Sequence, residues 1–189
     1  MIVTPPPDSD TVRLLSALSF SAQKHRRQRR KDLDGSPYIN HPIEVARILA
    51  EVGQVVDAQI LIAAVLHDTL EDTETTPSEL EQLFGPEVRR RVEEVTDDKT
   101  LEKSIRKELQ VRKVTGLSPS AKMIRIADKI CNVRDVSHSP PTHWENSRRR
   151  EYFDWTERVV TGCRGVNGAL EQRFLEVLHE GREILAKWL

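Results

Sequence analysis

Residues 60–72 read Ile60-Leu61-Ile62-Ala63-Ala64-Val65-Leu66-His67-Asp68-Thr69-Leu70-Glu71-Asp72, or ILIAAVLHDTLED. The first seven are apolar on every side, which marks a buried helix rather than an amphipathic one. Four titratable groups then follow within six residues. A buried imidazole or carboxylate is costly unless it is paired, hydrogen-bonded or bound to a metal. The stretch therefore predicts a helical interior that delivers polar side chains to a prepared site. If the helix continues past His67, His67 and Glu71 lie four apart, as do Asp68 and Asp72, and the four form adjacent columns on one side. A solvated helix end accounts for Glu71 and Asp72. It accounts poorly for His67 and Asp68, which arrive directly from the apolar run.

The flanking sequence has the same character. No segment alternates as a strand would, and apolar positions recur at three and four. Asp8 or Asp10 can cap a first helix with Val12, Leu15, Leu18 and Ala22 on one face. The basic stretch KHRRQRRK follows, and then the turn chemistry of DLDGSPY. Asn40 or His41 caps a second helix with Pro42 at its first position, ended by Gly53. Asp57 caps the apolar helix. Thr76-Pro77-Ser78-Glu79 reads as a capping box. Gly85-Pro86 stops one helix and opens another, and Ser118-Pro119 opens a long helix through Asp135. Two further helical patterns divide near 162–168. The expectation is one all-α domain over residues 1–189, a bundle of about eight to ten helices.

Composition narrows the function. The chain is 38% hydrophobic and 31% charged, which is globular, and its formal net charge of −1 disfavours a nucleic-acid or anionic-membrane partner. Cys131 and Cys163 stand in no metal-type spacing and suit a reducing compartment. The start, MIVTPPPDSD, has no apolar secretory core, and no apolar run reaches membrane-spanning length. The expectation is a soluble, cytoplasmic protein.

Three places break the apolar logic. His41 precedes Pro42 at a helix start, where alone it reads as a plain cap. His67-Asp68 is the second. Asp128, in MIRIADKICNV, is the third. At about 100° per residue, Asp128 falls just beyond the apolar arc, with Asn132 one turn on. Pairing of Asp128 with Arg125 or Lys129 is an equal alternative. Together, His41, His67, Asp68 and Asp128 offer two imidazoles and two carboxylates, a donor set for a borderline divalent ion such as manganese, iron, cobalt or zinc. Such an ion lowers the pKa of bound water and polarises phosphoryl oxygen, as phosphoester hydrolysis needs. Of Lys24, Arg26, Arg27, Arg29, Arg30 and Lys31, most belong on a solvated face, but one or two can meet a polyphosphate bidentately. Tyr152 and Trp155, beside Arg148-Arg149-Arg150, read as core before they read as a base platform.

The order His41, His67-Asp68, Asp128 resembles the HD superfamily of metal-dependent phosphohydrolases. RRKDLDGSPYINHP, LHDTLEDT, VEEVTDDKT, AKMIRIADKICNVRD and EYFDW together resemble the hydrolase half of the Rel/Spo alarmone enzymes, and most of all the stand-alone small alarmone hydrolases of the metazoan SpoT-homologue kind. The similarity covers about residues 10–170. It implies an all-α fold, a manganese ion, and removal of the 3′-pyrophosphate from guanosine tetra- or pentaphosphate (ppGpp, pppGpp) to give GDP or GTP. It implies His41, His67, Asp68 and Asp128 as metal ligands, and Glu71 and Asp72 as the acids acting on the attacking water. Arg30, Lys31 and Asn132 fall on substrate-binding positions, and Lys103, Arg148 and Tyr152 fall less securely on contacts to phosphates and ribose.

Two departures stand out. The synthetase domain of the Rel/Spo enzymes has no counterpart here, and Cys131 takes a place where relatives often carry a larger residue. The alternative readings are an HD phosphohydrolase of another nucleotide, such as an NADPH 2′-phosphatase, and a nucleotide-binding regulator without turnover. Glu71 and Asp72 argue against the regulator, which has no need of them. A homodimer is compatible with the sequence.

Overall fold

In a computed structural model of the chain, residues 9–32 and 34–187 are described. They form ten α-helices: α1 (Asp10–Lys24), α2 (Asn40–Glu51), α3 (Ala58–Leu66), α4 (Thr69–Asp72), α5 (Pro77–Phe84), α6 (Pro86–Val95), α7 (Lys103–Lys113), α8 (Pro119–His138), α9 (Asn146–Thr161) and α10 (Gly168–Ala186). A single 3₁₀ turn, Val114–Gly116, links α7 to α8. Among the described residues there is no strand, only an isolated antiparallel bridge between Arg29 and Pro37. The fold is all-α, as expected. No helix of the described residues is long and apolar enough to cross a membrane.

Helix starts follow local side-chain chemistry. Asp57 accepts from the Gln59 N–H at 2.8 Å, Thr76 from Glu79, Ser118 from Ala121 and Asn167 from Leu170, satisfying N–H groups that the first turn leaves orphaned. The capping box at Thr76 is only half formed, because Glu79 pairs with Lys24 at 3.1 Å instead. Helix α2 begins at Asn40, after an N-cap at Ile39 that makes no side-chain bond, so neither Asn40 nor His41 is the cap and Pro42 is the third helical residue. Asp8 lies outside the described residues, and α1 starts at Asp10 behind Ser9.

Helix α1 turns a different face inward from the one its apolar spacing suggests. Val12 and Leu15 are exposed, and so is Ala22, whereas Ala17 and Ser21 are buried and Leu14 and Leu18 pack on the core. The helix packs against α3 and buries Ala17 and Ser21. Helix α7 carries Arg112 and Lys113 in its last turn and buries no residue completely.

The centre of the molecule is α8, with α10, α2, α6 and α9 packed around it. Residues Ile124 to Cys131 are all buried, polar members included. Enclosure on all sides, rather than a half-wheel stripe, explains why Asp128 is 7% exposed although it sits at the edge of the apolar arc. The backbones of α8 and α10 meet closely: a Cβ on Gly181 would lie 2.4 Å from Ser137 Oγ and 3.0 Å from the Phe153 ring.

Helix α3 does not continue to Asp72. His67 Nδ1 donates to the Ala64 carbonyl at 2.8 Å, and Thr69 Oγ1 donates to the Leu66 carbonyl at 2.7 Å. Side-chain donors thus take carbonyls of the last turn, and the helix stops at Leu66. Asp68 then begins the single turn α4, whose Asp72 N–H donates to the Asp68 carbonyl at 2.8 Å, so Asp68 and Asp72 stay one turn apart on a helix separate from α3.

Candidate active site

The break after Leu66 turns His67 and Asp68 toward α2 and α8. His41, on the first turn of α2, arrives from one side and Asp128, midway along α8, from the other. Nε2 of His41 lies 3.2 Å from Asp128 Oδ1, and Nε2 of His67 lies 3.1 Å from Asp68 Oδ2. The cross distances are 3.8 Å for His41 to Asp68 and 3.9 Å for His67 to Asp128. His41, His67 and Asp128 each offer one donor atom, all within 4.8 Å of one another, and all three residues are buried. Asp68 stands beside both imidazoles, and its Oδ2 also accepts from Tyr38 Oη at 2.6 Å.

Several neighbours orient this group. The bond from His67 Nδ1 to Ala64 fixes the ring so that Nε2 faces inward, and that nitrogen has no hydrogen-bond partner among the described residues. Asp128 accepts from Lys129 Nζ at 3.0 Å on one oxygen and from Asn132 Nδ2 at 2.5 Å on the other. The Lys129 pairing takes one oxygen and leaves the other facing His41 and Asn132. Burial opposes charge on Asp68 and Asp128, but Lys129 and the imidazoles outweigh it, and both carboxyls stay below their ordinary range. Burial lowers His41, with Arg30 adding to it. Burial would lower His67 too, yet Asp68 and Asp128 raise it to about 9. Two imidazoles, two ionised carboxylates and an inward nitrogen without a hydrogen-bond partner fit a divalent cation, and the bonds from His67 Nδ1 to Ala64 and from Lys129 and Asn132 to Asp128 hold these side chains in place.

Glu71 and Asp72 lie on α4, one turn past Asp68. Glu71 accepts from the Asp97 N–H at 3.2 Å and faces Arg106 at 3.5 Å. Burial, then the charges of Asp97 and Asp68, raise its carboxyl to about 7. Asp72 accepts from Gln28 Nε2 at 2.8 Å and pairs with Lys99.

A cleft of about 400 Å³ lies beside the group, lined by Arg30, Lys31, Asp72, Trp144 and Tyr152 and by Tyr38 and Asn132, which bond to Asp68 and Asp128. Arg30 donates to Asn132 Oδ1 at 3.1 Å and pairs with Asp135 at 2.5 Å, while Arg26 and Arg27 are exposed. Lys103 and Arg148 flank the Trp144 ring at 5.9 Å and 4.8 Å from its centroid. Burial, then Arg148 and Lys31, lower Lys103, which is the mark of cations crowded together. Lys31, Lys103 and Arg148 form no ion pair among the described residues. Tyr152 packs on the core and also lines the cleft. Arg149 differs from Arg148: it is buried and donates to the carbonyls of Val136 and Ser137. Cys131 lies beside His41 and Arg30 in a smaller side pocket.

A family model described as HD domain matches residues 17–154. The chain belongs to the HD domain family. This HD protein is 51% identical over 172 residues to the mouse guanosine-3′,5′-bis(diphosphate) 3′-pyrophosphohydrolase MESH1, covering 91% of this chain and 96% of the mouse protein. It is 53% identical over 164 residues to the human MESH1, covering 87% and 92%. A solved structure described as a metazoan ortholog of SpoT that hydrolyzes ppGpp superposes with a TM-score of 0.87 at 43% identity, over 94% of this chain and 97% of that one. The resemblance read from five motifs in order is thereby borne out.

Sequence reasoning missed several residues at the HD site. Tyr38, Gln28, Lys99, Asp97, Arg106, Asp135 and Trp144 all touch it. Tyr38 stood inside a quoted motif, three residues before His41, and could have been found from it. Asp97 and Lys99 stood in VEEVTDDKT and Asp135 closed AKMIRIADKICNVRD, so they too could have been found there, whereas Arg106 and Trp144 carried no local signal.

Proposed function

We propose that this protein hydrolyses the 3′-pyrophosphate of guanosine tetra- and pentaphosphate, giving GDP or GTP and pyrophosphate, with manganese held by His41, His67, Asp68 and Asp128. The observation that carries the reading is a buried His/Asp group beside a cleft lined by Arg30 and Lys31, with Lys103 and Arg148 set against the ring of its lining residue Trp144. The names of the MESH1 relatives support the same substrate.

When bound, the cation supplies Lewis-acid charge beside the scissile phosphoryl group. The chain supplies the rest. Arg30 and Lys31 meet the pyrophosphate from the end of the basic stretch, and Lys103 and Arg148 extend that positive wall. Asn132 holds Arg30 and Asp128 in one network. Tyr152 and Trp144 offer aromatic edges and faces to the nucleoside. Glu71, poised near neutrality, accepts the proton of the attacking water, because a base is most useful when its pKa lies near working pH. Asp72, held by Gln28 and Lys99, orients that water.

The test is a product assay on guanosine tetraphosphate, with NADPH and other purine nucleotides as comparators and manganese present. Chromatography is expected to resolve GDP and intact pyrophosphate. Orthophosphate as the first product, or faster release from NADPH, would replace this reading with another phosphohydrolase.

The two ends of the basic stretch should separate in kinetics. Arg30→Ala is expected to lower kcat/KM at least tenfold, about 1.4 kcal/mol of transition-state binding. Arg26→Ala is expected to change it less than twofold, since Arg26 is exposed. Equal losses at both positions would mean a diffuse field rather than a contact.

A further inference from the structure

His25 ends α1 and is 2% exposed. It does not line the cleft. Its ring nevertheless connects to two acids of the site, Asp72 and Asp68. On one side, Asp72 is a carboxylate and only accepts, so Gln28 must present its Nε2 amide, which donates to Asp72 Oδ2 at 2.8 Å. The other end of that amide, Oε1, then faces His25 Nδ1 at 2.6 Å. An oxygen there requires the proton on Nδ1. The tautomer of His25 thus follows from Asp72, two bonds away. On the other side, the His25 ring lies against Tyr38, with centroids 5.0 Å apart and planes 33° from parallel. Tyr38 Oη donates to Asp68 Oδ2 at 2.6 Å. The backbone closes the loop, since the Tyr38 N–H donates to the Gln28 carbonyl at 3.2 Å.

The remaining nitrogen of His25, Nε2, is buried with no hydrogen-bond partner among the described residues. A buried polar atom left bare is a cost that a leucine of similar volume would not carry. Packing alone therefore does not explain an imidazole here; its Nδ1–H does.

We propose that His25 is a positioning residue, which through Gln28 fixes the aim of Asp72 and through the Tyr38 ring steadies the hydroxyl bonded to Asp68. The inference rests on the reading of Asp68 and Asp72 as working groups of a hydrolase. It assigns no contact between His25 and substrate.

The test uses the full chain loaded with manganese and four variants: His25→Leu, His25→Asn, Gln28→Leu and the double His25→Leu/Gln28→Leu. His25→Leu is expected to lower kcat for guanosine tetraphosphate at least tenfold, with KM within twofold and metal content near one per chain. His25→Asn places an amide N–H where Nδ1–H stands, and is expected to recover most of the lost kcat. Gln28→Leu is expected to match His25→Leu, and the double variant to be no worse than either, as members of one chain of bonds behave. Nitrogen-15 spectra of the wild-type imidazole are expected to show the Nδ1–H tautomer. Full kcat in His25→Leu with only a lower melting temperature would overturn the proposal, as would equal losses in the Leu and Asn variants. Should the wild type leave guanosine tetraphosphate intact, the functional reading fails separately; the spectra still decide the bond chain, and an Nε2–H tautomer overturns it.

Discussion

Glu71→Gln is expected to abolish turnover without releasing the metal. Gln keeps the shape of Glu71 and can still accept from the Asp97 N–H. It has no basic carboxylate, so the water loses its proton acceptor, a loss of roughly a hundredfold or more. Elemental analysis is expected to find about one manganese per chain, as in the wild type, and extra manganese should not restore the rate. The pH dependence has a worked sign. Burial and the charges of Asp97 and Asp68 raise Glu71 from an ordinary 4.5 to about 7. Ionised Glu71 is the reactive form, so the wild-type rate should rise as pH climbs through about 7. Stability runs the other way. The raised value means that the stabilising effect of protonated Glu71 is fully present below about 4.5 and lost as pH rises through about 7. Glu71→Gln should therefore melt higher than the wild type above pH 7 and nearly equal to it below 4.5. A variant that loses its manganese, or regains activity with more of it, would make Glu71 a ligand instead.

Asp128→Asn should fail in the opposite way. Asp128 is the anion that His41 Nε2 approaches at 3.2 Å, and it also neutralises Lys129, itself only 4% exposed. Removing that charge takes a donor from the His/Asp group and leaves a buried ammonium without its acid. Metal content is expected to fall well below one per chain, with activity at least a hundredfold down and partly recovered at high manganese. The melting temperature should drop too, by an amount equivalent to about 3 kcal/mol, as when one partner of a buried ion pair is deleted. Adding Lys129→Met separates the two effects. The double variant should regain stability, because the stranded charge is gone, yet still bind manganese poorly. Full metal occupancy in Asp128→Asn would remove Asp128 from the ligand set and leave only its structural pairing with Lys129.

The same division, between what a residue's type announces and what its surroundings do to it, runs through the molecule. The apolar run Ile60 to Leu66 could only be an interior helix, and its caps, Asp57 before it and Ser118 and Thr76 elsewhere, were legible because capping is settled within four residues of chain. The residue types at His41, His67, Asp68 and Asp128 were legible as costly polar insertions, and five motifs in order disclosed the HD family. Convergence was not legible. The four lie on α2, at the end of α3, at the start of α4 and on α8, and only the packing of α2 and α3 against α8 brings their donor atoms together.

Tertiary structure alone also decided the inward face of α1, because an apolar stripe and the side that finds a neighbour need not coincide. It decided the break after Leu66, where His67 and Thr69 take helix carbonyls that a periodic pattern assigns to the next turn. It decided which partners Gln28, Tyr38 and Lys99 take: all three hold acids of the site, from segments far apart in the chain. Periodicity, caps and turns are local and are written in the sequence. The distance between side chains far apart in the chain, and the burial that shifts Glu71 toward neutrality, exist only once the helices have packed.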